Sequence, residues 1–511
     1  MAKKLVYVLT MFFWLPLTLV IGLNVINSFL RTGYFELDQY VEIVKWKWDN
    51  PLFMILGTIV WLMVLHWVVY YRKSDAEKLL KVALWVAGII STLAILLFRS
   101  IAKCDSEFVS NAAIQFLENN YEAFSQGEYL YMYPFQIGLT ALLEGIYRIF
   151  GVQNYIVFQL INGICILSIV KTLGTISKEL FDEEVYRLEL VLSMGLLPLF
   201  LLSTFVYGDY IGLFFGVHGI AAVIRFLKKE NWKDILRASL WFMAGVTVKN
   251  NINVFVIAAV IALVLYAIKN RKYWTILWGI GLALLAQMGL EAVKLVYEWR
   301  MGQKIPSGIP KIAWIAMSMQ ETIEGGSASG WYNGYNWNVF ASNGYDAGAA
   351  TAACKISLME RLQYFVHHPR YTLFFFFDKF SSQWNEPTFM SIQTNEWYSR
   401  NCEPQSDLAI SLLYGTGRTI LTGVMNVYHF LIMLGTTIGL WVQRKDWKLE
   451  KAYFILNIFG GVLFHMLWEA KARYVLCYFV LMLPVAAAGF QFVCGKMRDQ
   501  LKMRDLRDNL N

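Results

Sequence analysis

The sequence predicts an all-α polytopic membrane protein of about twelve transmembrane helices, with extracytoplasmic juxtamembrane helices and a long outer loop. Composition is the first ground: 57% of the residues are hydrophobic and 16% charged, with a mean hydropathy of +0.45, far from a soluble average. Run length is the second. Leu52 to Tyr71 and Leu79 to Phe98 reach the roughly 20 apolar residues that a hydrocarbon core about 30 Å thick demands of a helix. The third is the charge of the connections.

Residues 5–28 follow Lys3 and Lys4 as a secretory signal would, but the apolar part is too long and no Ala-x-Ala pattern closes it, so it reads as a retained span. Further spans follow at 52–71, 79–98, 153–175, 188–206, 210–226, 237–250, 252–268, 274–294, 419–441, 452–469 and 474–494. Alternate connections carry the basic residues: Arg72, Lys73, Lys78 and Lys81; Lys178 and Arg187; Arg225, Lys228, Lys229 and Lys233; Lys269, Arg271 and Lys272; Arg444, Lys445, Lys448 and Lys451; and a tail from Lys496 to Arg507. Threading the spans in order puts all of these on one side, which the positive-inside rule makes cytoplasmic, both termini included. Outside lie 30–50, 99–152 and 295–418. The chain then divides into N-terminal spans (1–98), a transmembrane core with outer loop 99–152 (99–294), an outer region (295–418), and C-terminal spans with a cytoplasmic tail (419–511).

The net charge of +8 is explained by this orientation and by contact with anionic lipid, and no basic-aromatic module calls for nucleic acid. The six cysteines show no zinc spacing; Cys354 and Cys402 could pair outside. His218, His429 and His465 are isolated and read as packed polar residues. No Gly-rich phosphate loop, Ser-His-Asp order or His-Glu-x-x-His motif appears, which leaves nucleotide hydrolysis and proteolysis without residues.

The outer segments hold the candidate chemistry. Asp105 opens a stretch in which Phe108, Val109, Ala112, Ala113, Phe116 and Leu117 recur at helical spacing, an amphipathic helix suited to the bilayer surface. Asp105 there is a helix N-cap, a base or metal ligand, or both. Pro134, after Tyr129, Tyr131 and Tyr133, sits where a helix could begin. Asp209 lies in a tight outer hairpin, Tyr207-Gly208-Asp209-Tyr210, and with Asp105 would make a pair of outward carboxylates able to act as base and orienter or to hold a divalent cation. Lys249, with Asn250, Asn251 and Asn253, interrupts two apolar helices, and its ammonium is a partner for phosphate. In Trp468-Glu469-Ala470-Lys471-Ala472-Arg473-Tyr474, Glu469 and Arg473 are four apart and would share a helix face, or Arg473, helped by Lys471, would grip a phosphate. Gly330 to Asn338, Phe374 to Phe377 and Trp384 to Thr388 interleave aromatics with Asn and Gly, as suits sugar rings or an interfacial loop.

Assembled, these residues resemble the GT-C superfamily of membrane glycosyltransferases, in particular bacterial relatives of the protein O-mannosyltransferases and lipid A aminoarabinose transferases (glycosyltransferase family 39-like). The family's acidic residue at the head of an outer helix corresponds to Asp105, its second acid to Asp209, its lysine after a span to Lys249, and its Glu/Arg-Tyr pattern to Glu469, Arg473 and Tyr474. The chain departs from the pattern in having two spans added before Asp105, Glu107 one residue later than the usual second acid, and no Lys-Pro-Pro at Met132-Tyr133-Pro134. The resemblance implies an enzyme of a bacterial cell membrane that moves a sugar from a polyprenyl-phosphate donor to an extracytoplasmic acceptor, a cell-envelope glycan, lipid or protein, with inversion. Asp105 and Asp209 would be catalytic, with a divalent cation as a possible cofactor. Glu107, Tyr133, Lys249, Asn250, Glu469, Lys471, Arg473 and Tyr474 would bind substrate. A transporter or lipid flippase is the competing class, because many spans and interrupted polar helices are common there.

Overall fold

The computed structural model describes residues 1–35, 43–321, 328–400, 402 and 405–508, with side chains as far as Lys496. Helix α1 (Ala2–Leu30) runs into an antiparallel hairpin, β1 (Arg31–Phe35) and β2 (Val44–Trp48). By hydropathy 30–50 reads only as an outer connection, although Lys45-Trp46-Lys47-Trp48 alternates with the period of a strand. Asn50 caps α2 (Pro51–His66), accepting from Leu52 N and Phe53 N, and Asp75 caps α3 (Ala76–Phe98) through Lys78 N. The second outer stretch forms α4 (Asp105–Leu117), α5 (Tyr129–Met132) and α6 (Ile137–Phe150), the last entered through a turn led by Pro134. Then come α7 (Tyr155–Leu180), α8 (Glu183–Ser193), α9 (Leu197–Leu201), α10 (Asp209–Lys229), α11 (Trp232–Val248), α12 (Asn253–Asn270) and α13 (Thr275–Met301). The long outer stretch is helical too: α14 (Ile312–Ser318), α15 (Tyr335–Ser342), α16 (Ala347–His367), α17 (Pro369–Trp384), α18 (Ser391–Ser399) and α19 (Asp407–Tyr414). Three helices close the chain, α20 (Thr416–Gln443), α21 (Leu449–Leu467) and α22 (Ala472–Asp508).

Every predicted span coincides with helix, but not all twelve meet the length and hydropathy of a crossing. Among the described residues nine helices do, or ten if α8 and α9, bent by 53°, form one span. Pro198 explains that bend, since it offers no amide to the preceding turn, and the Tyr428 hydroxyl donates to Leu192 O at 2.8 Å beside it. The two that fall short are α11, of 17 residues, and α21, of 19, which buries Lys451, Asn457 and His465.

The predicted outer segments converge on one end of the bundle. Asn385 Nδ2 donates to Arg31 O at 2.7 Å, Ile309 N to Met132 O at 3.1 Å, Ile101 N to Tyr398 O at 3.0 Å and Ala470 N to Gly330 O at 2.9 Å. The basic loops meet at the other: Lys228 donates to Glu179 O, Lys272 pairs with Glu230, and Gln491 Nε2 donates to Asp182 at 2.8 Å.

Two expectations change. The apolar face of α4 is covered by protein, with Val109, Ala112, Ala113 and Phe116 buried and Ser110 bonded to the Tyr147 hydroxyl at 2.7 Å; only Phe108 of that face is well exposed. Helical spacing marks a face without saying what covers it. Cys354 and Cys402 are both free thiols, Cys354 buried and Cys402 Sγ donating to Tyr398 O at 3.7 Å. The first N-terminal span packs into the bundle: Trp14 is fully buried and its indole donates to Leu440 O at 2.9 Å.

The backbones of α20 and α22 touch where glycines allow it. A β-carbon at Gly439 would fall inside the radius of Val485 O, and one at Gly489 inside that of Gly435 O. Gly439→Ala is therefore expected to destabilise the bundle by about 1–3 kcal/mol through overpacking, read as a lower melting temperature in mild detergent. An unchanged melting temperature would contradict the contact.

Candidate functional site

The site begins at the head of α4. Cys104, held at φ 51°, occupies the cap position but its side chain does not cap the helix, and its carbonyl accepts from Glu107 N at 2.9 Å and Phe108 N at 3.1 Å. Ser106 closes the turn by donating to Lys103 O at 2.8 Å. Asp105 is thus the first helical residue and not the cap, and its side chain is exposed with no hydrogen-bond or ion-pair partner among the described residues. The helix dipole favours its negative charge.

Opposite Asp105 stand three tyrosines. Tyr129 stacks on Phe108 at 5.2 Å and packs at a tilt against Tyr133 at 5.0 Å, and its hydroxyl lies 3.4 Å from that of Tyr207. Tyr207 also accepts from Gln136 Nε2. Burial pushes the Tyr129, Tyr133 and Tyr207 phenols up, and the Asp105 carboxylate pushes all three the same way, so they stay protonated donors.

Beside the Tyr207 ring lie the cations. Asp209 opens α10, and Lys249 sits at the break between α11 and α12, its Nζ 3.1 Å from both Asp209 carboxylate oxygens. The approach is possible because residue 208 is glycine: a β-carbon there would be 2.6 Å from Val248 O. Lys249 Nζ lies 4.6 Å from the Tyr207 ring and 5.5 Å from that of Tyr474. The Arg473 guanidinium stacks on Phe205 at 4.2 Å and lies 5.9 Å from Tyr207 and 5.7 Å from Tyr474. Beside the pair is a cavity of about 30 Å³, lined in part by Asn251, Arg473 and Tyr474, with space for about two waters.

Of the predicted residues the structure therefore gathers Asp209, Lys249, Arg473 and Tyr474, with Asp105 close enough to act on the Tyr133 and Tyr207 phenols. Lys471 reaches the Tyr474 ring at 5.7 Å. Glu469 and Arg473 do not share a helix face, because Ala470 bridges Trp331 and α22 starts only at Ala472; the Glu469 charge acts on Tyr133 and Lys379 instead. Glu107 is exposed on α4, and the phenol its charge acts on is that of Tyr155, away from the tyrosines. Asn250 accepts from Asn253 Nδ2 at 2.7 Å and so braces the helix break, leaving Asn251 to line the cavity. In the aromatic stretch, Trp331 is fully buried and donates to Ser382 Oγ at 2.9 Å, so it supports the fold rather than a ligand. The histidines are packed: His429 Nε2 donates to Trp384 O at 2.8 Å and His465 Nδ1 to Glu469 O at 3.3 Å. Tyr207, the shared centre, was not singled out by the sequence; its place two residues before Asp209 was the available signal.

No family model and no curated protein matches the chain. Among solved structures it is similar to the Archaeoglobus fulgidus oligosaccharyltransferase in the apo form, with a TM-score of 0.44 and 14% identity, covering 86% of this chain and 52% of that one. The complex of the archaeal oligosaccharyltransferase AglB from the same organism with an inhibitory peptide and a dolichol-phosphate gives 0.41 and 13%, over 86% and 52%. The complex with Zn and sulfate gives 0.42 and 14%, over 83% and 50%. The chain spans about half the length of these structures. So distant a likeness assigns this chain neither a reaction nor a ligand.

Because Asp209 and Lys249 are mostly buried, with 15% and 13% of their side chains exposed, neither tolerates loss of the other. Lys249→Met is expected to destabilise by about 3 kcal/mol, and Asp209→Asn combined with it to recover much of that loss. Equal melting temperatures for the single and double variants would show that the pair is not coupled.

Proposed function

We propose that the chain is an integral membrane glycosyltransferase of the GT-C kind, which transfers a sugar from a polyprenyl-phosphate donor to an extracytoplasmic acceptor. The observation that carries the reading is the charge gathered around Tyr207: the Asp105 carboxylate, exposed, without a partner among the described residues and close enough to act on the Tyr207 phenol, and Lys249 and Arg473 at its ring. A base and a phosphate site are what a glycosyl transfer from a lipid phosphate requires. By the Lys and Arg bias of the opposite loops, this end of the bundle faces away from the cytoplasm of a bacterial cell.

The reaction is one displacement. The acceptor oxygen forms a bond to the anomeric carbon as the bond from that carbon to the phosphate oxygen breaks, which inverts the centre. The acceptor proton goes to Asp105, and the electron pair leaves with the polyprenyl phosphate. Arg473, and Lys249 while it stays paired with Asp209, stabilise the charge growing on that phosphate. Tyr129 and Tyr133 orient the acceptor with their protonated hydroxyls. Asp209 holds Lys249 rather than the acceptor. Both Asp209 oxygens are on Lys249 and no group of three ligating side chains occurs among the described residues, so of the two predicted ligands Asp105 is the one left to meet a divalent cation together with the donor's phosphate.

Asp105→Asn keeps the size of the side chain and removes the base. The purified variant is expected to keep its melting temperature and lose transfer of a radiolabelled sugar from a polyprenyl-phosphate donor by about 10² to 10⁴ fold. Transfer at the wild-type rate would remove Asp105 from the mechanism. Sugar accumulating in sealed vesicles without a covalent product would favour a carrier.

A further inference from the structure

A second cavity, of about 320 Å³, opens at the same end of the bundle between the β-hairpin, α18 and the start of α20. It reaches the lower end of the about 300–1,000 Å³ usual for small-molecule sites. None of its lining residues lines the cavity at Asp209.

Its wall contains an unused amide. Gln393 is 2% exposed, lines the cavity, and neither its Oε1 nor its Nε2 has a hydrogen-bond partner among the described residues. A buried polar group left unmet costs about 1–3 kcal/mol, so its retention needs a reason. The contrast with Asn395, two residues on, is direct. Asn395 Oδ1 accepts from Ser100 and Thr204, while its Nδ2 donates to Leu201 O and Ser391 O. One amide of α18 is spent on the fold and the other faces the cavity.

The rest of the wall gives the ligand's chemistry. Glu386 is saturated, its oxygens accepting from Thr388 N at 3.0 Å, the Thr388 hydroxyl and Met390 N at 2.7 Å, and burial pushes its carboxyl up to about 7. Those bonds hold Phe389 and Met390 at φ 47° and 61°, a strained conformation of the kind that gathers at ligand sites. Arg418 lines the cavity while donating to Leu413 O at 3.0 Å, and Lys47 lines it from the hairpin; behind Arg418, Glu396 at 3.6 Å is shared with Arg400. Two cations thus face the cavity beside a carboxyl that gives up its charge readily. An amide that donates and accepts matches a sugar hydroxyl, and the rings of Tyr34 and Phe35 offer apolar faces.

We propose that this cavity is a binding site for a monosaccharide-sized sugar carrying an anionic group, held by Gln393 on its hydroxyls and by Arg418 and Lys47 on its charge. The site is independent of the transfer reaction, since binding needs no turnover and no residue around Tyr207.

The test is titration of the full chain in detergent with glucuronate and with glucose 1-phosphate, followed by calorimetry and saturation-transfer NMR, with glucose and inorganic phosphate as controls. At least one anionic sugar is expected to bind saturably; which one distinguishes a sugar acid from a sugar phosphate. Gln393→Leu is expected to weaken it by about tenfold or more without lowering the melting temperature, and Asp105→Asn to leave it unchanged. If Gln393→Leu does not fold, Thr422→Val on the α20 wall must weaken binding instead. The proposal is overturned if neither anionic sugar binds, if glucose or phosphate binds as tightly, if the wall variants bind like wild type, or if Asp105→Asn abolishes binding.

Discussion

The ion pair between Asp209 and Lys249 fixes the geometry around it. Two opposite charges lie at the mouth of an apolar bundle, where each would be expensive alone and where the pair survives because both carboxylate oxygens meet one ammonium. The first residue of α10 is thereby tied to the break between α11 and α12. Tyr207 is caught between that break and Arg473, and the tyrosines beneath Asp105 take their positions from Tyr207. With Lys249 paired to Asp209, Arg473 adds a second cation beside Tyr207.

The long outer stretch is fastened to the same end by buried polar groups rather than surface ion pairs. The Lys379 amine donates to Ser318 O at 2.7 Å, and burial pushes it down to about 7 although Glu469 opposes the shift. An amine so placed fastens the stretch as a hydrogen-bond donor whether or not it carries a proton. With the backbone bonds at Gly330 and Met132, this makes the outer helices a fixed cover.

Hydropathy and loop charge made the spans and the grouping of loops legible in the sequence, because both are sums over many residues. What depended on single contacts was not. The spacing of Glu469 and Arg473 implied a helix that Ala470 forestalls by bridging Trp331. Asn250 and Asn251 are indistinguishable in the sequence, yet one braces the backbone and the other lines a cavity. Tyr207 is one of 28 tyrosines, and nothing local marks it as the one that three segments share. Asp105 could be found by its place after an apolar span, whereas its freedom from capping required the conformation of Cys104.

The indole of Trp14 has a bearing on how the protein is made. Its hydrogen-bond acceptor, Leu440 O, lies 426 residues further along the chain. At ordinary rates of synthesis that partner emerges tens of seconds after α1 enters the bilayer. Until then a polar N–H and the small polar groups Asn24 and Ser28, all buried in the finished bundle, face lipid or a chaperone. Helix α1 is inserted long before the partner that packs its indole, and membrane insertion must hold it loosely until α20 arrives.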